Sequence, residues 1–540
     1  MNYSIEEIND MKYIRFLDGK LLSIMQSYFP YEDLFHNAVL PARNLLSILN
    51  NLKNNHGPYF PDLINWVEEQ YKDEIKLIQI ITNNGFIEFK NLAQLFPIGQ
   101  NVYIKLDGTI IGAKVILAYN HVDYNDVIRG FSINLEVINS DGYSFIYDKY
   151  CTYIFSWKGL CKINKLPIIP LSKEDNIYNK LVARGKKFIK YAIGHHFLQH
   201  SHSCKYSKGR IMVDISNYEE YILADIFKDN YNFYYLKDDI KIDDDVKEEE
   251  LFMCVSKLPA YSFTWKDWHF IDVEHLNEIM FDNKAFDKLV LDQEKKSIIE
   301  NIIKFEYSKT DIINSKGDGC TFLLHGPPGV GKTLTVEAIS EKLHHPLYSI
   351  STGELGTNAK DLENNLRNIF NLAYYWNAII LIDEVDIFFE CQNVHEVNRN
   401  TLVCVFLRLL EYHQGIVFLT TNRVYCFDDT FQFHISISLE YKEPDIKARE
   451  ILWNTFLEFL DYNPNNVNIK KLSDIHLNGR EIQNTVKLAS TLNRELITTE
   501  LLEKFINLTS KKILVSSADG NKRKSGINDQ DNQSNSKKIK

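Results

Sequence analysis

The chain has 540 residues, 45% hydrophobic, 13% aromatic and 25% charged, with a formal net charge of −11. That length exceeds what one hydrophobic core supports, so about three or four domains are expected, in a globular protein able to bury large cores. The acidic balance argues against a surface built as a polyphosphate track, because nucleic-acid affinity leans on Lys and Arg neutralising phosphates.

Eight cysteines, Cys151, Cys161, Cys204, Cys254, Cys320, Cys391, Cys404 and Cys426, form no CxxC pair. They write neither a disulfide framework nor a thiolate zinc site, and reduced thiols in cytosol or nucleus fit them best. The opening MNYSIEEIND is acidic where a signal peptide is basic and then apolar. No apolar run reaches the length of about 18 residues that a membrane span needs. The expectation is a cytoplasmic or nuclear protein without membrane insertion.

Residues 1–75 form a variable N-terminal segment of short apolar clusters, in which LLSILNNLKNN reads as a helix running into a polar linker. Over residues 76–236 the period changes to two. Phe131, Ile133, Leu135 and Val137 alternate with Ser132, Asn134 and Glu136 ahead of the turn pair Asp141-Gly142, the pattern of a half-buried strand entering a hairpin. NVYIKLDGTIIGAKVIL brackets Asp107-Gly108 in the same way, and IYNKLVARGKKFIKYAI reads as a helix in this strand-rich domain. His195, His196, His200, His202 and Cys204 lie close together; without an HExxH arrangement, a polar loop accounts for them better than a metal site. The carboxylate-rich KDDIKIDDDVKEEE opens an acidic linker and connecting segment, 237–285. Trp265, Trp268 and Phe270 in that segment suit packing between domains more than stacking on nucleic-acid bases.

From residue 286 to 443 the apolar runs TFLLH, PLYSIS, AIILID and GIVFLTT are separated by helical patterns such as Leu402, Phe406, Leu409 and Leu410. Alternating elements with continuously apolar strands predict a parallel sheet covered on both faces. Residues 444–515 carry only helical patterns, and 516–540 form a polar tail expected to be disordered. Its clusters Lys522-Arg523-Lys524 and Lys537-Lys538-Ile539-Lys540 have the spacing of a bipartite nuclear signal, a spacing that ordinary basic tails share.

The stretch Gly326-Pro327-Pro328-Gly329-Val330-Gly331-Lys332-Thr333, followed by Leu334, fits GxxxxGK[ST] between an apolar strand and a helix. Its glycines let backbone amides curl around phosphates, and the helix N-terminus adds positive potential. Lys332 is placed for the β and γ oxygens of ATP, and Thr333 for Mg²⁺. Holding a phosphoanhydride does not cut it. The strand Ile379–Ile382 delivers Asp383, a carboxylate for the Mg²⁺ water shell, and Glu384, placed to orient or deprotonate water. GIVFLTTN ends in Asn422, an amide suited to the same water or the γ-phosphate.

This ordered set, with Arg480 in NGREIQN, resembles the AAA group of P-loop ATPases. LLHGPPGVGKTLTVEA, PLYSISTGELG, LIDEVDIFFE and RNTLVCVFLRLLEYHQGIVFLTTNRV are similar to its motifs, and LVARGKKF, GRIMVD and EIMFDNKAFDKLVL resemble fungal members with a strand-rich N-terminal domain. The resemblance implies an α/β fold: a five-stranded parallel αβα core, a C-terminal helical lid and a separate strand-rich α+β N-terminal domain. It further implies ATP sandwiched between subunits of a homo- or hetero-oligomer, a hexameric ring, with Asn422 as first sensor and Arg480 as a candidate second sensor.

Two departures stand out. FDDTFQFHIS places His434 where related proteins carry an arginine finger, and an imidazole cannot replace a bidentate guanidinium. Arg399 and Arg408 are candidate substitutes or plain helix-surface charges. STGELGTNAKDLE lacks the aromatic of threading loops, which weighs against pore-loop unfolding. The leading expectation is hydrolysis of ATP to ADP and phosphate, coupled to remodelling of an unknown protein client. The alternative is a nucleotide-binding scaffold or weakly active ring subunit. A clamp loader or helicase would need a basic track, and a kinase would have to keep water away from ATP.

Overall fold

The computed structural model describes the chain apart from residues 1, 9–10, 30–33, 35–37, 57–59, 107–108, 123–127, 202–208, 219–232, 237–239, 243–244, 309–318, 357, 387–396, 424–432, 461, 463–466, 493–496 and 509–540. The Asp107-Gly108 turn, His202, Cys204 and the basic tail lie outside the described residues. The chain divides into two compact units, Met1–Ile279 and Met280–Lys540.

In the first unit the N-terminal segment has its own core. Strands Tyr3–Ile8, Met11–Phe16 and Val39–Pro41 form an antiparallel sheet beside helices Gly19–Tyr28, Leu45–His56 and Pro61–Gln70. Ile14, Leu21, Met25, Leu45, Leu52, Leu63 and Val67 are buried together there. LLSILNNLKNN lies within the helix Leu45–His56. The short strands escape a periodicity reading because they bury few residues, Ile14 and Phe16 in the second strand and Leu40 in the third.

A seven-stranded sheet follows, centred on the antiparallel strands Asn101–Leu106, Thr109–Val122, Ile128–Ser140 and Phe145–Phe155. Phe131, Ile133, Leu135 and Val137 are fully buried, as their alternation requires. At the hairpin Asp141 Oδ1 accepts from the amides of Tyr143 (2.9 Å) and Ser144 (2.6 Å), an aspartate turn closing the connection. A second sheet runs in the order Asp267–Asp272, Lys257–Ser262, Gly209–Asp214, His195–His200, Leu276–Asn277. The helix Asn176–Tyr191 buries Leu181 and Phe188 in the same core.

Two local expectations change. The His195–His200 stretch is a strand paired along its length with Gly209–Asp214, not a loop. His200 is buried, His196 Nε2 lies 2.8 Å from the Ile193 carbonyl, and no metal-binding cluster of His, Cys, Asp or Glu occurs among the described residues. Residues 248–276, read from composition as connecting chain, are packed into this core. The Glu248–Glu250 carboxylates stay at the rim while Leu251, Phe252, Met253, Cys254 and Val255 behind them are buried. Trp268 lies 5.6 Å from Tyr261 and 5.4 Å from Tyr218, so its packing is within the unit.

The 248–253 turn is pinned by its neighbours. Arg184, 4% exposed, donates from Nη1 to the Ile110 carbonyl (2.5 Å) and from Nη2 to the Cys254 carbonyl (3.3 Å). Next to it, Gly185 meets the turn so closely that a Cβ would stand 2.0 Å from the Leu251 carbonyl oxygen. Gly185→Ala is therefore expected to destabilise this unit by about 1–3 kcal/mol through overpacking, read as a lower midpoint in urea unfolding. An unchanged midpoint would mean that the turn moves aside freely.

The second unit opens with α1 (Gln293–Ser308) and then builds five parallel strands: β1 (Cys320–His325), β2 (Leu347–Ser351), β3 (Ile379–Asp383), β4 (Ile416–Thr421) and β5 (Ile437–Glu440). Their order is β2-β3-β4-β1-β5. The helices α2 (Lys332–Leu343), α3 (Ala359–Tyr375) and α4 (Val397–Glu411) connect them. β1 and β4 are buried almost throughout, and Phe322 stacks on Phe418 at 4.6 Å where they stand opposite. This is the five-stranded α/β core that the motif order predicts. β5, short and half-exposed, had no signal among the apolar runs.

Beyond the sheet, α5 (Ile446–Phe459), α6 (Ile469–Ser473), α7 (Gly479–Leu492) and a helix over 499–508 enclose a separate small core of Trp453, Leu457, Leu472, Ile482, Val486 and Leu502. Because the strands are parallel, the C-terminal ends of β1, β3 and β4 share one rim. That rim is where open α/β sheets place their ligands.

Candidate nucleotide site

The loop from Gly326 to Gly331 leaves the end of β1 and turns into α2. Gly326 has φ 144°, and a Cβ there would stand 2.1 Å from the Tyr441 carbonyl oxygen, so only glycine lets the loop start this close to the chain leaving β5. The Tyr441 amide donates to the His325 carbonyl at 2.7 Å, and its phenol donates to Thr335 Oγ1 at 3.0 Å, tying α2 to the sheet. Burial pushes that phenol up to about 12. Within the loop Pro328 is exposed, while Pro327 and Val330 are half-buried. Leu334, in the first turn of α2, is exposed.

Lys332 is 7% exposed. Its Nζ donates to the carbonyls of Gly326 (2.8 Å) and Pro327 (2.8 Å) and to Asn422 Oδ1 (2.9 Å), so all three ammonium protons have acceptors. Burial lowers its pKa, an effect opposed by the nearby carboxylates of Asp383, Asp386 and Glu384. The acceptors are neutral dipoles, leaving the positive charge without a directly bonded anion.

At the end of β3, Asp383 accepts from the Thr420 hydroxyl, and Thr333 Oγ1 lies 3.4 Å from each of its oxygens. Glu384 follows with φ 56°, a left-handed conformation that costs a non-glycine residue roughly 1–2 kcal/mol. That turn carries its side chain into the open. Asp386 accepts from the Thr421 hydroxyl and from the Asn422 amide (3.3 Å), fixing the backbone that presents Asn422.

These contacts gather Lys332, Thr333, Asp383, Glu384 and Asn422 at one rim. Arg480 approaches through its backbone: its amide donates to the Gly329 carbonyl at 3.2 Å, and its exposed guanidinium is near enough to lower the Lys332 pKa slightly. Asn478 and Glu481 exchange amide hydrogen bonds, each 2.9 Å, a capping box at the start of α7 beside the loop. His434 sits half-buried in the turn before β5. Arg408 pairs with Glu363 of α3 at 2.9 Å, as a helix-surface charge would. Arg399 lies in α4.

Sequence reasoning missed Thr420, Thr421, Asp386 and Asn478. The signals were there: two threonines end the strand before Asn422, and a further aspartate closes IDEVD. Which carboxylate each threonine serves depends on the side of β4 it faces.

The residues fit the expected ligands. A glycine-rich loop leading into a helix N-terminus, with a buried ammonium, suits a polyphosphate. A hydroxyl beside a carboxylate is a hard oxygen pair suited to Mg²⁺.

Residues 322–441, which hold most of this site, match the family model of the ATPase family associated with various cellular activities (AAA), and residues 78–175 match a domain of unknown function, DUF7025. An ATP-dependent zinc metalloprotease FtsH of Malacoplasma penetrans is 29% identical over 217 residues, 34% of this chain and 25% of that protein. Spastin of Drosophila grimshawi is 31% identical over 147 residues, 25% of this chain and 19% of that protein. A putative 26S proteasome regulatory subunit homolog of Methanothermobacter thermautotrophicus is 26% identical over 186 residues, 32% of this chain and 49% of that protein. The chain thus spans between about a fifth and a half of the length of these relatives.

The capping box gives the site a stability signature. Asn478→Ala removes the cap beside Gly329 and is expected to cost about 0.5–2 kcal/mol, measured by denaturant unfolding, whereas Asn478→Asp keeps an acceptor and stays near wild type.

Proposed function

We propose that this chain, which belongs to the AAA family of ATPases through residues 322–441, hydrolyses ATP to ADP and phosphate and uses the cycle to remodel a protein client. The observation that carries the reading is the convergence of Lys332, Thr333, Asp383, Glu384 and Asn422 at the rim of β1, β3 and β4. The similar FtsH protein is an ATP-dependent metalloprotease, which agrees with it.

In this reading the loop amides and Lys332 receive the β and γ phosphates of the substrate. Lys332 exchanges its carbonyl partners at Gly326 and Pro327 for phosphate oxygens, trading dipoles for charges, which makes binding favourable. Thr333 and Asp383 would hold Mg²⁺, directly or through its water shell, and the ion supplies charge neutralisation on the phosphates. Glu384 orients the attacking water and takes its proton, while Asn422, released by Lys332, can face the γ-phosphate. Arg480, on the lid, lies where it can answer to nucleotide occupancy.

The assembly we infer is a homo- or hetero-oligomeric ring, hexameric by analogy with the family, with the strand-rich unit selecting the client. Replacement of Glu384 by Gln is expected to reduce phosphate release by about 10²-fold or more while ATP binding is retained. Equal rates for the two proteins would remove Glu384 from the chemistry.

A second reading, a ring subunit or nucleotide-regulated scaffold with little turnover of its own, is favoured by His434 at the arginine-finger position. An arginine finger is worth on the order of 10³ to 10⁵ in rate. His434→Arg, assayed at saturating protein so that the ring is assembled, is expected to raise turnover at least several-fold. No change would show that the position contributes nothing in trans.

A further inference from the structure

We propose that Thr420 is the positioning residue of the hydrolytic centre: its hydroxyl and carbonyl together set the direction of the Asp383 carboxylate and the backbone of Glu384. The inference rests on the ATP-hydrolysis reading, because it assigns how that site's two acidic residues are held.

The bonding pattern is forced by the groups present. A hydroxyl has one proton to give, an ionised carboxylate can only accept and an amide N–H can only donate. Thr420 Oγ1 therefore gives its proton to Asp383 Oδ1 and receives the Glu384 amide at 3.1 Å. The next amide, that of Val385, donates to the Thr420 carbonyl at 3.0 Å. Two successive peptide groups, one on each side of the Glu384 Cα, are thus tied to one residue of the neighbouring strand.

That double tie accounts for the left-handed backbone of Glu384, φ 56°. Such a conformation at a non-glycine residue persists only where its surroundings hold it. Thr420 is 1% exposed, so water does not compete for its hydroxyl. The parallel register Ile382 opposite Leu419 brings Thr420 beside Asp383. Its neighbour Thr421 does not duplicate the role, because its hydroxyl serves Asp386.

Metal-free nucleotide binding draws on the loop amides and Lys332, and neither contacts the Thr420 hydroxyl. The contribution of Asp383 to metal binding and of Glu384 to water activation does depend on it. Loss of the hydroxyl should therefore separate the two.

The test uses the full chain as wild type, Thr420→Val and Thr420→Ser, with a fluorescent ATP analogue titrated with and without Mg²⁺ and with phosphate release measured in parallel. Thr420→Val keeps the shape and removes the hydroxyl. Its kcat and its Mg²⁺-dependent gain in affinity are expected to fall about tenfold to a hundredfold, with metal-free affinity unchanged. Thr420→Ser is expected to restore both. The binding arm decides the matter even if turnover is slow. The inference is overturned if Thr420→Val keeps the wild-type Mg²⁺ dependence, if Thr420→Ser falls as far, or if Thr420→Val loses metal-free binding as well, the mark of a packing residue. A wild-type chain that neither binds nor hydrolyses ATP would sink the parent reading too, whereas an active wild type beside an unaffected Thr420→Val sinks this inference alone.

Discussion

The site depends on a buried ammonium held at the rim of a parallel sheet. Lys332 is almost fully enclosed, and its three acceptors come from the loop it closes and from the end of β4. An ammonium in such a place must be hydrogen-bonded throughout or it would not stay charged. Every acceptor it uses is neutral, and the nearby carboxylates of Asp383, Asp386 and Glu384 favour its charge from a distance rather than by direct hydrogen bonds. The loop's glycines, the β1–β4 register and the position of Asn422 can all be read as conditions for that one arrangement.

The register carries the acidic half of the site. β3 and β4 run parallel with Ile382 opposite Leu419, which brings Asp383 to Thr420, while β1 and β4 bring His325 opposite Thr421. Two consecutive threonines then face different partners, because side chains alternate along a strand. One serves Asp383 and Glu384, the other Asp386 and, through it, the Asn422 backbone. The lid begins beside the same loop, with the Arg480 amide on the Gly329 carbonyl. The start of α7 is thus hydrogen-bonded directly to the loop.

The first unit follows a different logic. Its cores are built from antiparallel strands, and its acidic run is only the outer edge of a buried turn held by Arg184. Carboxylates in sequence suggest solvent, but the five apolar residues that follow them were the stronger signal, since burying them is favourable while Glu248 and Glu249 stay in water and Glu250 accepts from the Tyr147 hydroxyl at 3.1 Å. In the His195–His200 stretch the alternation of a strand was hidden because histidines occupy both faces.

What the sequence carried by itself was much of the local and periodic information: a GxxxxGK[ST] loop between strand and helix, the buried runs of β1, β3 and β4, and the candidates Lys332, Thr333, Asp383, Glu384 and Asn422. Spacing along a chain is enough for these, because a loop motif and a hydrophobic period are short-range properties. What only the tertiary structure decided was which hydroxyl faces which carboxylate, the left-handed backbone of Glu384, the lid's contact with Gly329 and the burial of residues 251–255. Those depend on strand register and on close approach between segments distant in sequence. No residue carries that information until its partner is in place.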